Sequence, residues 1–173
     1  MPVSYQPPLR KDKQSERTYS QSQTSNMSAD QTDVATILAK KGGDVFSVGP
    51  DDTIRRAVEI LSERRIGALV VTDSADALVG ILSERDIVRK LAETPGQTLP
   101  QLVKDVMTKK VETCSPADPL ISVLRKMTAG RFRHLPCVEG DRLVGVVTIG
   151  DVINFRLTEL EHETLQLKQL IVG

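Results

Sequence analysis

The spacing of apolar positions alternates between helix-like and strand-like stretches, and this pattern occurs twice along the chain. A face with the i, i+3, i+4, i+7 spacing of an amphipathic helix is followed by two short apolar runs, 68–71 and 78–82, which predict strands. A polar turn at 74–76 separates these runs, and a second amphipathic stretch follows them. The first helix face is Ile54, Ala57, Val58 and Leu61, and the second is Ile87, Val88 and Leu91. With a short strand at 45–48, the predicted order is strand, helix, strand, strand, helix.

The same order recurs further along the chain at a nearly constant offset, which identifies an internal repeat. Val111 corresponds to Val45 and Pro116 to Pro50, and a shorter hairpin turn then reduces the offset by one. The repeated helix face is Leu120, Val123, Leu124 and Met127. Both copies close on a short apolar strand, a hydroxyl residue and, three positions later, an aspartate at a helix start. These closing stretches are Gly80-Ile81-Leu82-Ser83-Glu84-Arg85-Asp86 and Gly145-Val146-Val147-Thr148-Ile149-Gly150-Asp151.

The segments that flank the repeats differ in composition. Residues 1–32 have few aliphatic side chains and predict a disordered tail. Its basic cluster could be solvated or could contact an acidic partner, and Met27 could be the natural start of the protein. Residues 33–41 predict a short helix that ends at two glycines. Residues 93–109 predict a linker with one helical turn. The predicted division is therefore tail, first repeat with its helix to residue 92, linker, and second repeat with a last helix over 110–173.

The last helix is predicted to run from about Gly150 to Leu170 with an apolar stripe along one side. The stripe consists of Ile153, Leu157, Leu160, Leu167 and Ile171. Two interpretations remain open: the stripe packs on its own chain, or it forms the seam of a homodimer.

Composition narrows the possible functions. Formal net charge is zero and aromatic residues make up 3% of the chain, so neither charge nor stacking surface favours nucleic-acid binding. Cys114 and Cys137 lack metal-binding spacing and are interpreted as reduced, buried side chains. No apolar run approaches the length of a membrane span and no apolar signal region begins the chain, so a cytoplasmic protein is predicted. Without a nucleophile–base pair, clustered metal ligands or a glycine-rich phosphate loop, neither catalysis nor a metal is predicted.

An ordered set of motifs resembles a tandem pair of cystathionine-β-synthase (CBS) domains over residues 44–160. The motifs are Ser47-Val48-Gly49-Pro50 with Thr113-Cys114-Ser115-Pro116, Arg133-His134-Leu135-Pro136, and the two closing stretches Gly-x-x-Ser/Thr-x-x-Asp. The resemblance implies an α+β (α/β) fold of two β-α-β-β-α repeats packed as a pseudo-twofold pair, with two clefts between them. It also implies a stand-alone regulatory pair, often dimeric, whose clefts take AMP, ADP, ATP, S-adenosylmethionine or a dinucleotide such as NAD(H).

The resemblance selects candidate ligand-binding residues, each of which also has a simpler interpretation. Asp86 and Asp151 could accept hydrogen bonds from a ribose diol with help from the hydroxyls of Ser83 and Thr148, or they could only cap helices. Ile66 and Phe132 could pack on adenine or belong to the core. The remaining candidates could bind phosphate or be surface cations, and they are Arg131, Arg133 and His134. Because the first repeat has Gly67 and Ala68 in place of Arg133 and His134, the two clefts are expected to be unequal.

These features predict a sensor of adenosine-containing nucleotides that regulates another protein. A constitutive dimeric scaffold is the main alternative. An enzyme acting on a nucleotide and a nucleic-acid-binding protein, the latter through its basic tail, are weaker alternatives.

Overall fold

The computed structural model describes residues 32–172, so the predicted tail lies outside the described residues except for Thr32. The helices are α1 Val34–Lys41, α2 Ile54–Arg64, α3 Glu84–Glu93, α4 Val103–Val106, α5 Leu120–Gly130 and α6 Ile149–Val172. The strands are β1 Ser47–Val48, β2 Ala68–Thr72, β3 Leu78–Ser83, β4 His134–Glu139 and β5 Arg142–Thr148. Two similar sets of strands and helices follow one another, which confirms the predicted α+β fold class.

Each half is built on its own small sheet. In the first half β1 pairs in parallel with β2, and β2 pairs antiparallel with β3. In the second half β4 and β5 form an antiparallel pair, and the counterpart of β1 is reduced to one parallel bridge between Cys114 and Cys137. The strand expected near Val111 is therefore not formed, because only Cys114 makes ladder hydrogen bonds, with Pro136 and Val138.

Two aliphatic cores lie in the two halves. The first consists of Val48, Ile54, Ala57, Leu61, Leu69, Val71, Leu82, Ile87 and Val103. The second consists of Val34, Ile37, Cys114, Leu120, Val123, Met127, Leu135, Cys137, Val147 and Val152. Both cysteines are buried and free, as predicted, and burial raises the pKa of Cys114 to about 12, which keeps its sulfur a neutral thiol.

The two short helices α1 and α4 each pack on the half that does not follow them directly in the sequence. Val34 of α1 is fully buried in the second core, and its N–H donates to the Asp118 carbonyl at 3.0 Å. Val103 of α4 is fully buried in the first core, and its N–H donates to the Asp52 carbonyl at 2.8 Å. The two helices are thus equivalent, with Val34 of one corresponding to Val103 of the other.

A glycine in each hairpin receives one side chain of these helices. A Cβ added to Gly145 would lie 2.6 Å from Cδ2 of Leu38 in α1. Gly80, the corresponding residue of the first hairpin, is covered in the same way by Met107, which follows α4. A side chain at either position would push the helix away, so these glycines set where α1 and α4 dock.

The last helix begins in the second core and then extends along the surface. Val152 is buried. In the single chain the residues of the predicted stripe are exposed, with an exposed fraction that ranges from 43% for Leu160 to 83% for Ile171. Val88 and Leu91 on α3 are exposed as well. No helix within residues 32–172 combines the length and the apolar character that crossing a membrane requires.

Candidate functional site

A cavity of about 330 Å³ lies between the start of α3 in the first half and the α5–β4 connection in the second. The segment that follows α4 closes its third side through Thr108 and residues 110–112. Among the predicted site residues, the cavity is lined by Ser83, Asp86, Arg131, Phe132, Arg133 and His134. The structure therefore brings the closing stretch of one repeat together with the basic connection of the other. We call this cavity the first cleft.

Ser83 and Asp86 form a reciprocal capping pair at the start of α3. The Ser83 N–H donates to Oδ2 of Asp86 at 3.0 Å, and the Asp86 N–H donates to the Ser83 Oγ at 3.4 Å. The simpler interpretation of Asp86 as a cap is therefore realised. Its other oxygen, Oδ1, receives no hydrogen bond from residues 32–172. The same carboxylate can thus hold the helix start with one oxygen and accept a ligand hydroxyl with the other.

Thr148 and Asp151 repeat this capping geometry in the second half. The Thr148 N–H donates to Oδ2 of Asp151 at 2.9 Å, and the Asp151 N–H donates to the Thr148 Oγ1 at 3.1 Å. Neither residue lines the first cleft. Lys41 at the end of α1 places its Nζ 2.7 Å from Oδ2 of Asp151. Burial alone would raise the pKa of Asp151, but the hydrogen bonds from Lys41 and Thr148 and the Lys41 charge outweigh it and lower that pKa.

The two predicted adenine contacts take different positions. Phe132 lines the first cleft and also packs against the second core. Ile66 packs against the first core and is not among the residues that line the first cleft. Arg131 ends α5 in the left-handed region with φ 56°, and its N–H donates to the carbonyls of Met127 and Thr128. This turn directs the residues that follow towards the cavity.

His134 is half-buried at the start of β4 and has charged groups on several sides. Burial lowers its pKa, as do Lys41 and Arg133, while Glu84 and Asp151 act in the opposite direction. The imidazole is therefore mainly neutral at pH 7 and can donate one N–H.

Several charged residues of the cleft were not predicted. Arg85, Arg89 and Lys110 line it together with Glu84 and Glu112. With the predicted residues, five Arg and Lys side chains face three carboxylates, so the cleft carries two positive charges in excess. The i, i+4 spacing of Arg85 and Arg89 on α3 was a possible signal, but the same spacing is found on solvated helix faces. Arg85 also joins the two halves, because its Nη1 donates to the Arg131 carbonyl at 3.1 Å.

No group of His, Cys, Asp and Glu within residues 32–172 has an arrangement that could hold a metal ion. The cleft offers cations, the capping carboxylate of Asp86 and the phenyl ring of Phe132. Such a set suits an anionic ligand that also carries hydroxyl groups and a flat ring.

Comparison with known proteins gives consistent matches. The CBS domain family model matches residues 33–93 and 103–158. The CBS domain-containing protein CBSX3, mitochondrial, of Arabidopsis thaliana is 31% identical over 150 residues, which cover 82% of this chain and 73% of the relative. Two other curated relatives are matched over 42% and 22% of their length, so the chain spans less than half of each.

Solved structures show the same architecture. The CBS-domain containing protein ATU1752 of Agrobacterium tumefaciens is 42% identical with a TM-score of 0.71, over 73% of this chain and 94% of that one. The CBS domain pair of protein MJ0100, solved in complex with 5-methylthioadenosine and S-adenosyl-L-methionine, is 28% identical with a TM-score of 0.66, over 74% of this chain and 98% of that one. With two matched repeats, two equivalent halves and the closing stretches in place, this chain belongs to the CBS domain family as a tandem pair.

Proposed function

We propose that this chain is a regulatory module that binds an adenosine-containing nucleotide, AMP, ADP, ATP or NAD(H), in the first cleft. One observation carries the proposal: Asp86 and Ser83 of one repeat line the same cavity as Phe132 and the basic connection of the other. A nucleoside phosphate needs a hydroxyl acceptor, a flat apolar face and cations, and these groups surround a single cavity.

Each part of the nucleotide has a matching group. The free Oδ1 of Asp86 accepts from the ribose hydroxyls, and the ring of Phe132 packs on the adenine. The phosphates extend towards the cations of the cleft, where guanidinium groups make paired, charge-assisted hydrogen bonds. These cations are Arg85, Arg89, Lys110, Arg131 and Arg133, with His134 as a neutral donor.

The CBS pair of protein MJ0100 supports an adenosine-containing ligand, since both of its ligands carry adenosine. Neither of those ligands carries a phosphate. The positive excess of the present cleft favours phosphorylated forms over an uncharged or cationic ligand.

The position of the cleft between the two halves gives the regulatory mechanism. A ligand that contacts both halves stabilises whichever arrangement closes the cleft better, and only this difference in affinity can shift the equilibrium. The shift is transmitted to a separate, regulated protein. We propose no catalytic step, and we propose a cytoplasmic location.

Calorimetric titration with AMP, ATP, NADH, S-adenosylmethionine and adenosine tests the proposal. AMP or ATP is expected to bind below the millimolar range, and Asp86→Ala to weaken it at least tenfold. Asp118→Ala is the matched control, because Asp118 likewise accepts from the N–H and the hydroxyl of Ser115, at 3.2 and 3.0 Å, outside the cleft. An absence of binding below millimolar for every ligand overturns the proposal.

A constitutive dimeric scaffold is the second candidate, and the exposed stripe of α6 favours it. We propose that two chains form a homodimer through this stripe in either case, since apolar surface of this extent is seldom left uncovered. Nucleotide that remains bound through purification, detected by absorbance after denaturation, distinguishes the sensor from a scaffold without ligand.

A further inference from the structure

We infer that Lys41 neutralises the carboxylate that would bind a ribose in the second half, so that each chain takes a single nucleotide, in the first cleft. The inference rests on the proposed function and assigns it a stoichiometry. It concerns the second cleft, which we define by Thr148, Asp151 and Lys41. The Lys41 ammonium lies 2.7 Å from Oδ2 of Asp151, where the equivalent carboxylate of the first half has no cation bonded to it within residues 32–172.

Lys41 has an equivalent in the first half. Leu38 and Met107 are the two side chains that cover the hairpin glycines. They are separated by the same number of residues as Lys41 and Lys110. Lys110 lines the first cleft but makes no ion pair within the described residues. The two halves thus carry an equivalent lysine and an equivalent aspartate, but within the described residues these form an ion pair only in the second half.

A three-residue insertion accompanies this difference. Val111 follows Lys110 directly, whereas Gly42, Gly43 and Asp44 separate Lys41 from Val45. With these extra residues, α1 remains helical as far as Lys41 and turns only at Gly42, where φ is +86°. In the first half the helix ends at Val106, and Met107 directly after it already has an extended backbone.

The hydrogen bonds of the hairpins show the consequence. In the first half Thr108 pairs with Ile81 through two backbone hydrogen bonds of 3.0 and 2.9 Å. In the second half the carbonyl of Val146, the equivalent of Ile81, accepts from the Lys41 Nζ at 3.2 Å instead. One ammonium therefore replaces a backbone bridge and at the same time binds the carboxylate that would accept a ribose.

Within residues 32–172, Oδ1 of Asp151 receives no hydrogen bond, but Oδ2 binds both the Thr148 N–H and this ammonium, so a ribose in the second cleft would have to share the carboxylate with a cation. The Asp151 side chain is 24% exposed and the Lys41 side chain 38% exposed, so the carboxylate is partly shielded from water while the ammonium remains accessible. Charge-assisted hydrogen bonds in such sites change affinity by about tenfold or more. The second cleft should therefore bind at least tenfold more weakly than it would without Lys41.

Calorimetry with AMP as the probe tests the inference. The unmodified chain is expected to bind one AMP per chain, and Lys41→Met to bind a second with an affinity gain of at least about tenfold at that site. Lys41→Arg keeps a cation at the position and should still bind one AMP per chain. Lys40→Met is the matched control, since Lys40 lies over the Phe155 ring and forms no ion pair with Asp151, and this variant should also bind one AMP per chain.

A double variant assigns the new site. Lys41→Met combined with Asp86→Ala should bind one AMP, now in the second cleft, and adding Asp151→Ala should abolish it. Two equal sites in the unmodified chain, or no second site in Lys41→Met, overturn the inference. If the unmodified chain binds no AMP but Lys41→Met binds one, the proposed function of the first cleft and the stoichiometry of one per chain fail, whereas the effect of Lys41 on the second cleft stands.

Discussion

The imidazole of His134 lies against the backbone of Gly67, so that a Cβ added to Gly67 would be 3.2 Å from Cε1 and 3.3 Å from Nε2 of the ring. This contact joins the two halves, since Gly67 precedes β2 and His134 begins β4. It also explains why the second repeat can place a histidine here: the first repeat has no side chain at the facing position.

Gly67→Ala is predicted to displace His134 by a few tenths of an ångström and to weaken AMP binding about fivefold, equivalent to about 1 kcal/mol. The measurement is calorimetric, with thermal unfolding recorded in parallel. Gly43→Ala is the matched control, because its added Cβ would meet only the Val144 carbonyl oxygen at 3.8 Å. Equal losses in both variants would mean that His134 is not positioned by Gly67.

Replacing Arg133 and His134 together by Gly and Ala gives the second half the residues of the first. AMP and ATP are predicted to bind at least ten- to one-hundredfold more weakly, since a charge-assisted hydrogen bond contributes about 1.5–3 kcal/mol. Adenosine, which has no phosphate, should be nearly unaffected. If adenosine and AMP lose affinity equally in calorimetry, these residues shape the cleft and do not bind phosphate.

Proton uptake on AMP binding is predicted near pH 7. Burial and the cations Lys41 and Arg133 hold the pKa of His134 below its usual value, and a phosphate dianion beside the ring would raise it. Because the complex then binds more protons than the free protein, affinity should increase as pH falls from about 7.5 towards 6.

The uptake is measured by calorimetry in buffers of different ionisation enthalpy. His134→Gln keeps a donor but cannot titrate, so the difference between the two proteins isolates the imidazole from the ionisation of AMP itself. The same uptake in both proteins would contradict the prediction.

Leu82→Ala and Leu135→Ala are predicted to lower the free energy of unfolding by about 2–5 kcal/mol each, because each leucine is fully buried in the core of its own half. Chemical denaturation measures the change. Glu63→Ala, on the exposed side of α2, should change it by no more than about 0.5 kcal/mol. A loss confined to one of the leucine variants would show that one half contributes little to stability.

Leu157→Glu is predicted to convert a homodimer into a monomer. Leu157 is 54% exposed within the α6 stripe, and a charge there would be buried against a second copy. Light scattering at micromolar concentration should give twice the chain mass for the unmodified protein. Thr158→Glu, on a neighbouring exposed position, should leave that mass unchanged. A monomeric unmodified protein contradicts the prediction.

The repeat made most of the fold predictable. A pattern that recurs at one offset, shifted only once by the shorter hairpin turn, places the helices and hairpins of both halves, since hydrophobic period is the main signal of secondary structure. The short edge strands were harder, because pairing at Ser47–Val48 and at Cys114 depends on the neighbouring strand and leaves little pattern in the sequence.

The candidate site was only partly predictable for a similar reason. Asp86 and the segment from Arg131 to His134 carry recognisable motifs, and the structure places them in one cleft. Lys110 and Lys41 carry none, because a lysine after a short helix has the same appearance whether it faces solvent or a carboxylate. Only the structure, in which α1 and α4 dock on opposite halves, distinguishes a lysine that faces solvent from one that faces a carboxylate.

That exchange of α1 and α4 has a consequence for how the chain can be divided. A cut near Gly96 would separate the repeats as the sequence orders them, yet each fragment would lose the helix that seals its interior. The N-terminal fragment would carry α1 with no surface to cover, and the C-terminal fragment would carry α4 likewise. The two halves are therefore interlocked, and neither is expected to fold alone. A chain permuted to start at α4, with its original ends joined by a linker, would keep every one of these contacts.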